Sequence, residues 1–371
     1  MRRCICILLL LCLSFSAFAQ DSISYKILQG YDRMFYNTNN PQIEVMAYNK
    51  NDYERFNGKV DCRVETYKGE SVYEFSQNFY MGPSDSAKLC FSFGVTPGFY
   101  RFILESDENI IEKAVIGYEP EKITVEQSAL DEAYSEWKMA LENLAKTPVM
   151  PEVVKVKKTG GKLRNIYKVT LNSVKDGVVE GYYAVPKAKG IYPVVITCTD
   201  RAEVLWMPDG NSNVERIDFV VSPRNGVIHN ESHYYNICMD VVRAVDFIVQ
   251  KNEVDLKNIF LQGRGQGAAL AIGAAALDNR ITAVAAYAPA LSNEKLCGQE
   301  KLYDIKNLSG FVKCPVVMGV GLEDTVCPPH LNFEIYNPLK TVKEYYIFVA
   351  GHYPDAVWSE LVDNFFMKHL Q

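Results

Sequence analysis

Near residue 120 the hydrophobic pattern of this 371-residue chain changes its period. From Gln42 to Tyr118 short segments alternate apolar and polar residues, at 42–48, 59–66, 72–80, 87–94, 99–105 and 112–117. Turn residues such as Gly82-Pro83-Ser84-Asp85 and Pro97-Gly98 separate them. About six half-buried strands at this spacing predict an all-β, immunoglobulin-like sandwich, with no side chains in it that point to catalysis. A spacer or stabilising module is the simpler role, and a carbohydrate- or partner-binding module the alternative. The 23 tyrosines suit either, as core material or as a sugar-binding surface.

Past residue 120, strands alternate with helices. Leu130, Ala133, Trp137, Leu141 and Leu144 recur at helical spacing across 126–146, and Pro148 and Pro151 close that helix. Pro193-Val194-Val195-Ile196-Thr197, Ile259-Phe260-Leu261, 283–288, 316–320 and 345–349 are apolar runs of the kind buried on both faces. Helices over 235–250, 266–278 and 355–369 lie between or after them. The expected architecture is α/β: a mostly parallel sheet with helices on both faces, preceded by the sandwich. The expected domains are 20–120 and 121–371.

The N-terminus predicts export. Met1-Arg2-Arg3 precedes an apolar run from Ile5 to Leu13, and Ala17-Phe18-Ala19 is a small-x-small cleavage pattern before Gln20. Residues 1–19 are therefore expected to leave as a signal peptide, and an acylated Cys12 is disfavoured because Leu11 precedes it. No later segment is long and apolar enough to span a bilayer. Removal of Arg2 and Arg3 takes the net charge from −6 to −8, which argues against a nucleic-acid binder. Seven cysteines remain: Cys62, Cys90, Cys198, Cys238, Cys297, Cys314 and Cys327. Cys62 shares a face with Val60 and Val64, whereas Cys90 is out of register with Leu89 and Phe91, so a Cys62–Cys90 bridge is not expected. Most should be buried thiols.

Ile259 to Gly267 reads as strand, tight turn, helix, the context of a nucleophile elbow, Gly-x-Ser-x-Gly. The central residue here is Gly265, which has no side chain. Asp324 follows one later strand and His352 the next, so elbow, acid and histidine stand in α/β-hydrolase order. An acid so placed orients an imidazole that would take the nucleophile's proton. The backbone N–H of Gln266 is the expected oxyanion donor. Without a nucleophile one residual route is left, in which His352 activates a water in the space above Gly265. Cys198, Ser222 and Cys327 lie near strand ends but not on an elbow. His229 and His233 stand four apart in a Pro-, Asn- and Gly-rich stretch, which reads as a surface loop rather than a metal site. No metal, dinucleotide or other cofactor is expected.

Residues 126–371 resemble the acetyl xylan esterase / cephalosporin-C deacetylase family. The resemblance rests on Tyr234-Tyr235, Asp240 to Asp246, Glu253-Val254-Asp255, the elbow, 274–277, Gly321-Leu322-Glu323-Asp324 with Cys327-Pro328-Pro329, Asn337 and Gly351-His352. It implies an α/β-hydrolase that removes acetyl groups from small esters, acetylated oligosaccharides or antibiotics, often as a multimer. It also implies that the family's serine falls on Gly265. Of its Arg-Gly-Gln motif, Arg224 is kept. Its His-Gly-Tyr oxyanion segment falls near Thr199-Asp200-Arg201, and its lid over 291–304 is shortened. Two functions follow as expectations: an exported deacetylase impaired at its nucleophile, or a non-catalytic pseudo-esterase that binds acetylated carbohydrate or a protein partner.

Overall fold

A computed structural model of the chain describes residues 22–28, 33–38, 40–107, 109–126, 130–157, 161–200, 203–224, 233–289 and 304–371. The signal segment, Cys297, the 225–232 stretch with His229, and 290–303 lie outside the described residues.

Among the described residues eight strands build the N-terminal part: β1 (Ile23–Ile27), β2 (Met34–Phe35), β3 (Gln42–Asn49), β4 (Phe56–Thr66), β5 (Ser71–Met81), β6 (Ser86–Ser92), β7 (Gly98–Ser106) and β8 (Asn109–Tyr118). They form a three-stranded sheet, β1-β3-β6, facing a five-stranded one, β2-β8-β7-β4-β5. Period-two patterning sends Ile43, Val45, Leu89 and Phe91 from one sheet against Val60, Val64, Phe102 and Ile116 from the other. Cys62 is buried in this core and Cys90 is exposed, both as free thiols. Alternation placed them on different sides, as the sequence pattern required.

After helix α1 (Leu130–Lys146) the remaining strands make one nine-stranded sheet. They are β9 (Glu152–Lys155), β10 (Arg164–Asn172), β11 (Val178–Pro186), β12 (Tyr192–Cys198), β13 (Ile217–Pro223), β14 (Val254–Arg264), β15 (Ala283–Tyr287), β16 (Val316–Gly321) and β17 (Lys343–Phe348). The order is β17-β16-β15-β14-β12-β13-β11-β10-β9. Pairing is parallel from β13 through β17 and antiparallel among β9, β10, β11 and β13.

Helices α2 (His233–Ile248), α3 (Gln266–Leu277), α4 (Ile305–Ser309), α5 (Pro329–Tyr336) and α6 (Ala356–Lys368) complete the set. Successive strand residues face opposite layers. Val194, Ile196, Ile259, Leu261, Val316 and Met318 share a core with α1 to α5. Val195, Phe260, Ala283, Ala285 and Val317 pack instead under Trp358, Val362, Phe365 and Phe366 of α6. Both faces of the inner parallel strands are thus covered, the condition under which such strands read as unbroken apolar runs, whereas β17 lies at the sheet edge and is half-buried along its length, not fully buried as its apolar run suggested.

The sandwich rests on the segment that carries Asp324. Arg33 Nη1 lies 2.8 Å from Glu323 Oε1, the Tyr67 ring stacks on His330 at 4.6 Å, and Phe99 meets Phe333 of α5 at 5.4 Å. Asn337 Nδ2 donates to the carbonyls of Pro120 and Ile123, each at 3.0 Å.

Candidate active site

The elbow is formed as its glycines require. β14 ends at Arg264, Gly265 takes φ 53° and ψ −121°, and α3 begins at Gln266. That is a backbone conformation costing about 1–3 kcal/mol for a residue with a β-carbon, and glycine escapes the cost. A Cβ on Gly267 would lie 2.2 Å from the Cys198 carbonyl, so the helix can approach β12 only with glycine there.

Asp324 leaves β16 in a tight turn and is almost fully buried. Its Oδ1 accepts the N–H groups of Val326 (2.8 Å) and Cys327 (2.9 Å). Its Oδ2 lies 2.9 Å from Nδ1 of His352, which follows β17. The structure therefore brings together Gly265, Gln266, Asp324 and His352.

Sequence reasoning missed the fifth member, Asp200. β12 and β14 run parallel with Cys198 opposite Gly263, so the residue two beyond Cys198 stands opposite the elbow. Asp200 Oδ1 accepts the Gln266 N–H at 2.9 Å, and Oδ2 lies 2.7 Å from His352 Nε2. A Cβ built on Gly265 would sit 2.5 Å from Asp200 Oδ1 and 2.8 Å from both Cγ and Oδ2. The carboxylate fills the volume that a side chain at the elbow would need. This corrects the expectation of a water above Gly265, because the space is taken. The Gln266 N–H is aimed into the site, but a carboxylate oxygen already holds it.

The imidazole is clasped between two acids. Its hydrogen bond to Asp200, then that to Asp324 and a contact with the Cys327 thiol, push His352 up to about 12, against a smaller opposing effect of burial. Each carboxylate stabilises the charged ring, and neither can be relieved by water, since only about a tenth of the His352 and Asp200 side chains is exposed. A ring held this way favours its charged form, which has no lone pair with which to act as a base.

Arg264 flanks the pair, with Nε 3.5 Å from Asp200 Oδ2, Nη2 3.7 Å from Glu203 Oε2 and its guanidinium 4.1 Å over the Tyr353 ring. Asp324, Cys327 and His352 present potential metal-ligand atoms within 4.8 Å of one another, yet both ring nitrogens face carboxylates. Burial raises the Cys327 thiol above its ordinary value, the opposite of an activated nucleophile. Cys198 and Ser222 are buried. Arg224 lies away from the triad, with Nε 3.1 Å from Asp240 Oδ2, and burial pushes that carboxyl up to about 7.

The sheet order, the elbow and the acid and histidine loops define an α/β-hydrolase fold. The sequence model of the acetyl xylan esterase (AXE1) family matches residues 208–301 and 294–368. Acetyl esterase Axe7A of Xylanibacter ruminicola is 26% identical over 303 residues, covering 67% of this chain and 69% of that protein. The α/β part of the chain is therefore similar to the acetyl xylan esterases, the family its sequence resembles. Solved structures share the fold. Acetyl xylan esterase from Paenibacillus sp. R4 has a TM-score of 0.62 at 21% identity, covering 68% of this chain and 98% of that one. Acetyl xylan esterase 1 from Thermoanaerobacterium sp. JW/SL YS485 has a TM-score of 0.57 at 19% identity, with the same coverage. Among the described residues no helix is long and apolar enough to cross a membrane.

Proposed function

We propose that this chain is an exported, acetyl-xylan-esterase-like protein that has given up serine acyl transfer, a pseudo-esterase that binds acetylated carbohydrate without deacetylating it. One observation carries the reading. The Asp200 carboxylate bridges the Gln266 N–H and His352 Nε2, two groups an esterase keeps for the oxyanion and the serine proton. Loss of a serine nucleophile costs on the order of 10⁶ in turnover. Here the vacancy at Gly265 is also filled, so neither water nor an acyl group finds that place. The basic leader and the Ala17-x-Ala19 pattern support export of a two-domain protein, sandwich 20–120 and hydrolase 121–371.

The test is acetate release from an activated acetyl ester and from acetylated xylo-oligosaccharides by the mature protein, with calorimetric binding of the same oligosaccharides. Binding with acetate release at the uncatalysed rate is expected. Turnover at esterase rates that disappears in His352→Ala would overturn the proposal. Export is checked by sequencing the N-terminus of the secreted protein, which should begin at Gln20.

A further inference from the structure

A carboxylate with one oxygen on a main-chain N–H and the other beside an imidazole is more than a plug. We propose that Asp200 is itself a nucleophile, and that the site hydrolyses alkyl electrophiles with an anionic leaving group through an alkyl ester on this carboxylate. The inference rests on the placement of Asp200 used above, but concerns a different bond and a different product.

Carboxylates serve as covalent nucleophiles when they are ionised, held in place and shielded from water. Asp200 is held in place, shielded, and paired with Arg264 and His352. Its side chain is one tenth exposed, its Oδ1 is fixed by Gln266 and its Oδ2 by His352. In the first step a lone pair of Oδ2 attacks a saturated carbon, and the leaving group departs as an anion with the bonding pair. The charged His352 ring, 2.7 Å from Oδ2, and Arg264, with Nε 3.5 Å from it, are the cations beside that charge. The product is an ester whose carbonyl oxygen is Oδ1, still at the Gln266 N–H.

The second step follows from the loss of charge. Esterification removes one of the two carboxylates that keep His352 protonated, so the ring gives its Nε2 proton to solvent and becomes a base held by Asp324. A water that enters the place the halide has left gives it a proton, and the hydroxide attacks the Asp200 carboxyl carbon. Negative charge collects on Oδ1, where the main-chain donor already points. Collapse expels the alcohol, which takes the proton back from His352. The sum is alkyl halide plus water giving alcohol, halide and a proton, with no other reactant. The same site fails with acetyl esters, because attack by a carboxylate would give an anhydride less stable than the ester consumed.

The experiment uses bromoethanol with the mature protein in heavy-oxygen water. Bromide release is expected, with one heavy oxygen appearing in the Asp200 carboxylate after a single turnover. His352→Gln keeps an N–H donor for Asp200 but supplies no base, so it should accumulate a hydroxyethyl ester on the Asp200 peptide. Asp200→Ala, checked as folded by circular dichroism, should lose bromide release by about 10³-fold or more. No adduct on Asp200 in the folded His352→Gln protein, or alkylation confined to cysteines, would overturn the inference. Acetate release is measured separately, so failure here leaves the pseudo-esterase reading standing, and acetyl turnover would sink that reading without touching this one.

Discussion

Returning the serine alone should not return the esterase. In Gly265→Ser the new Cβ would meet Asp200 Oδ1 at 2.5 Å and Cγ and Oδ2 at 2.8 Å, so the carboxylate must leave. It would surrender its bonds to the Gln266 N–H and His352, each worth about 1.5–3 kcal/mol as a hydrogen bond to a charged group. The elbow backbone adds about 1–3 kcal/mol of strain once a β-carbon is present. Together these predict a destabilisation of roughly 4 kcal/mol or more, a large share of a typical domain's about 5–15. Gly265→Ser/Asp200→Ala clears the seat and frees the ring. A complete triad is worth on the order of 10⁶, and a missing oxyanion donor costs roughly 10²–10³, so the double variant should gain about 10³-fold. Urea unfolding and hydrolysis of an activated acetyl ester measure the two quantities. A single variant as stable as the wild type, or as active as the double, would refute the reasoning, because Asp200 would then not hold the seat.

His352 is raised far above its ordinary value in the folded state, so the ion pairs stabilise fully below about pH 6.5 and their contribution falls as pH rises towards 12. Its NMR signals should therefore not titrate between about pH 5 and 9, whereas Asp200→Ala should bring the transition down; a wild-type midpoint at the ordinary value would contradict the clasp. Of the six described cysteines only Cys90 is exposed, so it should be the one among them that a thiol reagent labels quickly in the native protein. A Cys62–Cys90 disulfide in a peptide map would refute the register. Arg164 is fully buried, donating to Asp218 Oδ2 at 2.6 Å and to the carbonyls of Ala184 and Arg216 at 2.8 and 2.9 Å. Arg164→Ala should cost about 3–5 kcal/mol in urea unfolding, against about 1 for an exposed ion pair such as Arg33–Glu323; equal losses would show that burial does not set the difference.

Five of the six parallel strands among the described residues were legible because burial leaves few polar positions, as in Val194-Val195-Ile196 and Val316-Val317-Met318, whereas β13, with Asp218 and Ser222 interrupting its apolar run, was not read. Asp324 and His352 were legible because each follows such a run, and the alternation of Leu89-Cys90-Phe91 fixed which way Cys90 points. The short edge strand β2 and the antiparallel β9 to β11 left no comparable trace, because partly exposed strands mix polar and apolar residues. Asp200 was hidden for a different reason. In the sequence it is an acid after a strand, and the resemblance set it near the family's oxyanion segment without giving its carboxylate a role. Only the pairing of β12 with β14, with Cys198 beside Gly263, sets it against the elbow. The usable signal was the glycine itself, since a missing side chain at a buried elbow asks what fills the volume.

Gly265 and Asp200 make sense only as a pair. With a serine at the elbow, Asp200 has no room. With glycine and no Asp200, the Gln266 N–H and the His352 ring would be left in a nearly buried pocket without their present partner, at about 1–3 kcal/mol for each unsatisfied group. Residues in direct contact couple by about 0.5–3 kcal/mol. Wild type, Gly265→Ser, Asp200→Ala and the double variant therefore close a thermodynamic cycle whose corners should not add. Asp200→Ala should destabilise the natural protein, yet should be neutral or stabilising in the Gly265→Ser background, where the carboxylate has already been displaced. A sign change of that kind separates one coupled replacement of the catalytic seat from two independent losses of function.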